Sequence, residues 1–228
     1  MGLFKFYILL FITACISCRQ TAPQGGDTNR MDVIDMESNG EFDHMVNTYE
    51  DENRHIWQKP DRVIELLGDI SDKIVVDIGA GSGYFAFRLI PVAKKVVAVD
   101  IDPRFIRFMN EKKKLLPPAQ REKFEARLAS PEDPMLATNE AQAVLMVNTY
   151  VYIEDRVDYF RKLKMALAPE AKVVIIEFKM KDIPQGPPRE EKIALAEVER
   201  ELKEAGYVIS KIDDQTLEYQ YIITAMVD

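Results

Sequence analysis

Two spacings of hydrophobic residues alternate along the chain from residue 60 onward. Continuous apolar runs typical of buried strands occupy residues 73–81, 95–101, 124–130, 143–148 and 171–178. Apolar residues three and four positions apart predict helices over residues 60–68, 83–90, 103–116, 156–167 and 189–205. The last two strands, 207–213 and 217–227, are too close in sequence for a crossover and should be antiparallel. We therefore predict an α/β fold: a doubly wound, mostly parallel seven-stranded sheet with a C-terminal antiparallel hairpin.

The first 18 residues, MGLFKFYILLFITACISC, have a different pattern. One lysine precedes an apolar run of about a dozen residues, which is shorter than the ~20 that a membrane-spanning helix needs. Small residues and cysteines follow, as in a signal peptide. Residues 12–15, ITAC, resemble the lipobox of bacterial lipoproteins. The expected lipidation site is Cys15, with Cys18 as the alternative.

Residues 19–40 are polar and contain a glycine pair, so they are predicted to be a flexible tether to a domain at 41–228. With the lipid anchor, this organisation predicts attachment to the membrane of a bacterial cell envelope, on the periplasmic or surface face. Anchoring on the cytoplasmic face, an uncleaved signal anchor and a misassigned start codon remain alternatives.

Composition narrows the possible functions. The 228 residues carry a net charge of −8, which argues against nucleic acid as the partner because phosphate binding needs clustered Lys and Arg. The two cysteines lie in the leader and the two histidines at 44 and 55. A disulfide scaffold, a Cys/His zinc site and a Ser-His-Asp hydrolase are therefore disfavoured. We expect no metal site, with a carboxylate-bound Mg²⁺ as the alternative.

The chemistry concentrates where the first two strands end. The first strand runs into Asp77-x-Gly79-x-Gly81-x-Gly83, and the second ends at Asp100. Glycines permit a tight turn close to a ligand, and a carboxylate at the second strand end can accept hydrogen bonds from ribose hydroxyls. The alternative is that the glycines only shape a strand-to-helix turn.

The identity of the nucleotide follows from two details. A dinucleotide-binding fingerprint needs glycine at position 84, where Tyr84 stands. An acid two residues before the first glycine would repel a pyrophosphate but attract a cation such as S-adenosylmethionine (SAM), which carries an ammonium and a sulfonium. A dehydrogenase is the weaker alternative.

These motifs resemble those of class I SAM-dependent methyltransferases, which have a Rossmann-like sheet. The segments that carry the resemblance are VVDIGAGSGYF, VVAVDIDP, IWQKPDRVIELLG, VLMVNTYVYIED and the terminal hairpin, so it covers about residues 50–228. The resemblance implies SAM as the cofactor and methyl transfer as the reaction. It implies a cradle of Gly79, Gly81 and Gly83, with Asp77 near the methionine amino end.

The same resemblance assigns the other cofactor residues. Asp100 would hold the ribose, Ile101 would pack on the adenine, and Asn148 would border the transferable methyl group. Two departures stand out. Related sequences commonly read NTYHH where this chain has NTYVY, so a histidine base is missing at 151–152. After the third strand no acid follows directly, although Glu132 and Asp133 come soon afterwards.

Candidate acceptor-site residues lie in the loop after the fourth strand. Tyr150 and Tyr152 are the candidate catalytic residues, with packing aromatics as the alternative. Glu154 and Asp155 could line the same pocket, although Asp155 is better explained as a helix cap. Glu177, near the end of the fifth strand, is a further candidate or a surface charge.

The chain offers little material to cover an acceptor. Phe42, Tyr49 and Trp57 in the helical region 41–68, and the loop 180–190, are available, unless the aromatics only pack that region on the sheet. A small cover predicts a small-molecule or protein side-chain acceptor. Because SAM is made in the cytoplasm and the leader predicts export, a non-catalytic SAM- or nucleoside-binding or structural lipoprotein that keeps the fold remains the alternative.

Overall fold

The computed structural model describes residues 40–184 and 186–227. The predicted signal peptide, the lipidation candidates Cys15 and Cys18, and all but the last residue of the predicted tether lie outside the described residues. Within residues 41–228, which form one compact unit, the chain alternates between helix and strand.

Seven strands form one sheet with the order β3-β2-β1-β4-β5-β7-β6. They are β1 (Ile74–Ile78), β2 (Lys95–Asp100), β3 (Phe124–Leu128), β4 (Ala141–Val147), β5 (Leu167–Phe178), β6 (Val208–Asp213) and β7 (Gln220–Met226). The first five strands pair in parallel, and β7 lies antiparallel between β5 and β6. The predicted fold, with its terminal antiparallel hairpin, is confirmed.

Helices cover both faces of the sheet. They are α1 (40–49), α2 (Arg54–Trp57), α3 (Pro60–Glu65), α4 (Ala86–Leu89), α5 (Pro103–Lys114), α6 (Pro118–Glu122), α7 (Arg156–Ala166) and α8 (Leu195–Glu204). Alternate strand residues face two separate cores. Val76, Val144 and Ile175 pack on the side of α7 and α8, whereas Val75, Leu145 and Val174 pack on the side of α3, α4 and α5.

Several predicted boundaries differ from the structure by a few residues, and two differ most. The fifth strand begins at Leu167 rather than residue 171, because Leu167 pairs with Ala141 before a register shift. The helix predicted from residue 189 begins at Leu195, after a 3₁₀ turn at Arg189–Glu191. The Tyr221 hydroxyl donates to the Ile193 carbonyl at 3.0 Å, which holds that segment extended.

The functional consequence of this order is a switch point between β1 and β4. Strands added after β1 extend the sheet in one direction, and strands from β4 onward extend it in the other. In such sheets the crevice for a ligand opens beyond the carboxyl ends of the strands at this point. The segments 78–83, 100–102 and 148–152 therefore meet at one edge of the sheet.

Candidate active site

The turn after β1 is built around backbone conformations that favour glycine. Gly79, Gly81 and Gly83 have φ angles of 71°, 55° and 82°. A Cβ on Gly79 would lie 2.2 Å from Thr149 Oγ1, and one on Gly81 would lie 3.0 Å from Tyr49 Cδ2. The turn therefore requires close approach as well as left-handed backbone. Its backbone forms a cradle at the edge where β4 also ends.

A buried carboxylate lies beneath this cradle. Asp77 is 3% exposed, and its Oδ2 has no hydrogen-bond partner among the described residues. Burial raises the pKa of Asp77 to about 7, against the opposing effects of the Ala86 backbone N–H and the Arg54 charge. The Ser82 hydroxyl is likewise buried without a partner in the described part of the chain. Unpartnered buried polar atoms are rare and point to a missing ligand or water.

Asp100, at the end of β2, has a different environment. Its Oδ2 accepts a hydrogen bond from Gly81 N at 2.8 Å, and its Oδ1 accepts one from Asp102 N at 2.9 Å. Burial raises the pKa of Asp100, and these two N–H groups oppose the rise. Each oxygen keeps a lone pair for a ligand hydroxyl. The next residue, Ile101, is 57% exposed and offers an apolar surface beside the carboxylate.

Asn148 follows β4 and also has a left-handed backbone, with φ of 57°. Its Oδ1 accepts a hydrogen bond from Gln220 Nε2 at 2.5 Å. Gln220 Oε1 in turn accepts from Gln58 Nε2 at 3.2 Å, and Gln58 Oε1 accepts from Arg54 Nε at 2.8 Å. We call these four residues the amide relay. Because a guanidinium can only donate, Arg54 sets the direction of every bond in it.

The structure separates the two tyrosines of the loop after β4. Tyr150 is 0% exposed, and its hydroxyl donates to Glu201 Oε2 at 2.9 Å, so its side chain belongs to the core. This placement corrects the expectation that Tyr150 lines an acceptor pocket. Tyr152 is 65% exposed and lies near Tyr49 and Glu191, whose charges join burial in raising the Tyr152 pKa.

Glu177 is not a surface charge. Its carboxylate is buried and accepts a hydrogen bond from Tyr150 N at 2.7 Å, with Thr149, Val151 and Phe178 supplying further backbone N–H groups. Burial nevertheless raises its pKa to about 7. Glu177 therefore holds the loop that carries Asn148 and Tyr152.

The remaining candidates have local structural roles. The Asp155 side chain accepts a hydrogen bond from Asp158 N at 3.3 Å and caps α7. This is the helix-cap role that the sequence analysis favoured for Asp155. Asp133 Oδ1 accepts from Met135 N at 2.6 Å within the turn after β3. Neither Glu132 nor Glu154 makes a side-chain hydrogen bond within the described residues.

The three aromatic cover residues divide into two groups. Phe42 and Tyr49 pack against Phe105 of α5, and their ring centroids lie 5.0 and 5.5 Å, respectively, from that of Phe105. Tyr49 also lies over Gly81. Trp57 packs 5.9 Å from Phe178 at the end of β5. A groove of about 180 Å³ lies beside Trp57 and is lined by Asn53, Ile56, Lys59, Glu218 and Tyr219.

Sequence reasoning missed Arg54, Gln58 and Gln220. Gln220 was detectable as a polar residue at the start of an apolar strand, but its partner Gln58 is 162 positions away in sequence. Arg54 could not be singled out from the sequence, because it lies in a segment rich in charged residues. Among the described residues, no three His, Cys, Asp or Glu side chains cluster as metal ligands, and no helix there is long and apolar enough to cross a membrane.

Part of the chain matches known proteins in sequence. Residues 76–175 match the family model described as "Methyltransferase domain". A curated tRNA U34 carboxymethyltransferase of Cellvibrio japonicus is 39% identical over 54 residues, which are 23% of this chain and 16% of that protein. The chain thus spans about one sixth of the length of that curated relative.

Solved structures match far more of the chain. A SAM-dependent methyltransferase from Aquifex aeolicus has a TM-score of 0.75 and 23% identity, and the match covers 80% of this chain and 97% of that one. The glycopeptide N-methyltransferase MtfA in complex with SAM has a TM-score of 0.62 and 12% identity, covering 74% and 87%. These matches show that the chain has the fold of the SAM-dependent methyltransferases and that residues 76–175 match the family model of a methyltransferase domain.

Proposed function

We propose that this protein transfers the methyl group of SAM to a small molecule or a protein side chain. The observation that carries the proposal is the unpartnered Oδ2 of buried Asp77 beneath the glycine cradle. An ammonium is the natural partner of an unsatisfied carboxylate oxygen, and the methionine end of SAM supplies one.

The other residues of the cradle fit the same cofactor. Asp100 is oriented by Gly81 N and Asp102 N so that both oxygens can accept from ribose hydroxyls. The exposed side of Ile101 suits an adenine face. When bound, SAM supplies an activated methyl group with a thioether leaving group.

The residues of the chain then have to align the acceptor with the methyl group and exclude water from the site. Methyl transfer requires the acceptor atom, the methyl carbon and the sulfur in line, which positioned side chains favour entropically. Asn148 stands at the end of β4, and the amide relay fixes its side chain. Tyr49 covers Gly81 and Trp57 packs on Phe178 at the end of β5, whereas the Tyr152 side chain is exposed.

The acceptor class rests on surface charge and on the cover. A net charge of −8 disfavours a nucleic acid, because each phosphate contact needs a cation. The Cellvibrio relative is named as a tRNA enzyme, but the match covers only 16% of that protein. Tight, saturable binding of RNA at physiological salt would refute this part of the proposal.

Calorimetric titration of the full chain with SAM and with S-adenosylhomocysteine tests the cofactor. We expect Asp100→Ala to weaken both by about 100-fold or more, since two hydrogen bonds to a charged acceptor contribute ~1.5–3 kcal/mol each. Asp102→Ala is the matched control. Its carboxylate caps α5 and should affect helix stability but not SAM affinity.

The outcomes separate two functions. Micromolar binding that Asp100→Ala abolishes supports a working cofactor site and justifies a screen of acceptors. A folded wild-type protein that binds neither ligand would contradict the proposal. The exported, non-catalytic lipoprotein would then be the better interpretation.

The location is a separate proposal. We propose that Cys15, or Cys18 in its place, carries a lipid that anchors the domain in a bacterial envelope, on the strength of the ITAC motif at 12–15. Metabolic labelling with radioactive palmitate should mark the wild type, and Cys15→Ser should lose the label. An unlabelled wild type would remove the proposal, and a labelled Cys15→Ser would move the site to Cys18.

A further inference from the structure

The amide relay has a direction that is fixed at one end. Arg54 Nε can only donate, so Gln58 turns its Oε1 towards it, at 2.8 Å. The Gln58 amide nitrogen then donates to Gln220 Oε1 at 3.2 Å. The Gln220 amide nitrogen donates in turn to Asn148 Oδ1 at 2.5 Å. The amide relay therefore leaves Asn148 with its Nδ2 donors, rather than its carbonyl oxygen, free for a ligand.

Burial keeps this direction from reversing. Gln58 and Gln220 are 0% exposed, so bulk water does not compete for their amide groups. Turning either amide around would set two N–H groups or two oxygens against each other, which is costly in a buried network. Asn148 is only half-buried, and its Nδ2 donates to no described residue. The amide relay thus ends in an unused donor.

This donor lies at the edge of the sheet that carries the cradle. Asn148 follows β4, which pairs with β1. The next residue, Thr149, is so close to the cradle that a Cβ on Gly79 would lie 2.2 Å from its Oγ1. Asn148 is therefore within one residue of a direct contact with the turn that would hold the cofactor.

A second unused donor lies near the amide relay. Trp57 Nε1 is buried and has no hydrogen-bond partner among the described residues. The Trp57 ring packs on Phe178, whose partner on β7 is Gln220. Buried donors without a partner are rare and mark places where a ligand or a water accepts. Two donors beside the amide relay suit an acceptor molecule that brings oxygen lone pairs.

We infer that the group methylated is a carboxylate, one oxygen of which accepts from Asn148 Nδ2 while the other attacks the methyl carbon. The inference rests on the proposed function, because it names the acceptor class of that same site. An amine has a single lone pair, which the attack uses, and its own N–H groups would lie against the Asn148 donors. A carboxylate has lone pairs for both contacts.

Methyl transfer to a carboxylate balances without a general base. The attacking oxygen forms a bond to the methyl carbon while the bond from that carbon to sulfur breaks, and its electron pair stays on sulfur. The sulfonium becomes a neutral thioether, the carboxylate becomes a methyl ester, and no proton is released. The loop sequence NTYVY at 148–152 agrees with this chemistry, because it holds no histidine and its Tyr150 hydroxyl is bonded to Glu201.

The test compares two ligands that differ at the position of the transferred methyl group. Sinefungin carries an ammonium at that position, and S-adenosylhomocysteine carries nothing there. Calorimetry with the full chain at neutral pH gives the ratio of the two affinities. We expect the wild type to bind sinefungin roughly tenfold more weakly than S-adenosylhomocysteine, because the ammonium would lie against the Asn148 donors.

Two substitutions of positioning residues should turn Asn148 around. In Gln220→Glu the new carboxylate accepts from Gln58 and from Asn148 Nδ2, so the Asn148 carbonyl is left for the ligand. In Gln58→Glu the new carboxylate accepts from Arg54 and from Gln220. Gln220 then presents its oxygen to Asn148, which turns in the same way. Each variant should raise the affinity for sinefungin relative to S-adenosylhomocysteine by about tenfold or more, a ratio that a loss of stability alone does not move.

Asn53→Asp is the matched control for the added charge. It also exchanges an amide for a carboxylate, on the residue before Arg54, and Asn53 is exposed and outside the amide relay. Because an exposed charge is screened, its ratio should stay within about twofold of the wild type. A direct effect of charge would also be smaller for Gln58→Glu than for Gln220→Glu, whereas the amide relay predicts similar shifts in both.

Failure of the inference and failure of the proposed function give different results. A wild type that binds neither ligand refutes the proposed function. A wild type that binds sinefungin as tightly as S-adenosylhomocysteine, or more tightly, overturns the carboxylate assignment and keeps the cofactor site. An unchanged ratio in the folded glutamate variants, or an equal shift in Asn53→Asp, also overturns it. The wild-type ratio decides alone if melting curves show that both glutamate variants are unfolded.

The screen of acceptors identifies the source of the carboxylate. Its two arms are small carboxylic acids and peptides with acidic side chains and blocked termini, each incubated with methyl-labelled SAM and the full chain. Label that mild base releases as methanol marks a methyl ester and supports the inference, and the arm that carries the label gives the source. Label that resists base, on nitrogen or in an ether, overturns the inference.

Discussion

Two buried carboxylates, one in each half of the sheet, have different hydrogen-bond partners. In the half formed by β1, β2 and β3, Asp77 keeps one oxygen without a partner among the described residues. In the half formed by β4, β5, β7 and β6, Glu177 receives backbone N–H groups and Glu201 receives Tyr150 and Arg156. Both Asp77 and Glu177 have a pKa raised to about 7 by burial.

This difference teaches that a raised pKa alone does not distinguish a ligand site from a structural one. The Glu177 carboxylate accepts hydrogen bonds from the protein's own backbone, so it stabilises the loop after β4. The missing partner of Asp77 is the feature that points outside the protein. Substitutions at Glu177 and at Asp77 test whether the two carboxylates differ in this way.

The largest effect on folding is expected at Glu177. Glu177→Leu leaves the N–H groups of the loop after β4 buried without an acceptor, which should lower the free energy of unfolding by about 2–4 kcal/mol. Urea denaturation measures the change. Glu170→Leu, at an exposed position of the same strand, is the control and should shift stability by less than about 0.5 kcal/mol. A Glu177→Leu protein as stable as the wild type would remove the structural role assigned to Glu177.

Replacing Asp77, in contrast, is expected to raise the stability of the ligand-free protein. Its pKa in the folded protein, about 7, lies above the ordinary value of 3.8, so between these pH values the folded state holds a proton that the unfolded state has released. The stability of the ligand-free protein should therefore fall as pH rises through this window. Asp77→Asn removes this contribution and should be more stable than the wild type at pH 8, by up to about 4 kcal/mol.

The same substitution should remove a pH dependence of binding. An ammonium binds the ionised carboxylate, so wild-type affinity for SAM should be about tenfold weaker at pH 6 than at pH 8. Asp77→Asn should bind SAM weakly, with little change over this range. Calorimetry at both pH values measures the ratio, and an unchanged wild-type affinity would contradict the assignment of Asp77 to the ammonium.

The smallest effects are expected at the two tyrosines. Tyr150→Phe loses a hydrogen bond to the Glu201 carboxylate, which Arg156 continues to satisfy, so it should cost about 1–2 kcal/mol of stability. Tyr152→Phe should change stability by less than about 0.5 kcal/mol because its side chain is mostly exposed. SAM affinity should be unchanged in both. A larger loss at Tyr152 than at Tyr150 would reverse the roles we assign.

Local patterns in the sequence were sufficient to predict the mostly parallel sheet with its terminal hairpin. They were also sufficient to predict the glycine-rich turn after β1. Apolar runs, glycine spacing and Asp100 at a strand end are all readable within a few residues. The amide relay was not readable, because Arg54 and Gln58 come from a short helix whereas Gln220 comes from the last strand. Tyr150 misled for a related reason: only its contact with Glu201, on α8, shows that it faces the core.

The position of β7 in the sheet affects the order in which the residues of the site become available during synthesis. The last strand of the chain is internal to the sheet, between β5 and β6. A nascent chain that has emerged as far as β5 already contains every residue of the glycine cradle together with Asp100 and Arg54. It still lacks Gln220, which joins Arg54 and Gln58 to Asn148. During synthesis, the residues of the proposed cofactor site thus exist before the residue that fixes the Asn148 side chain.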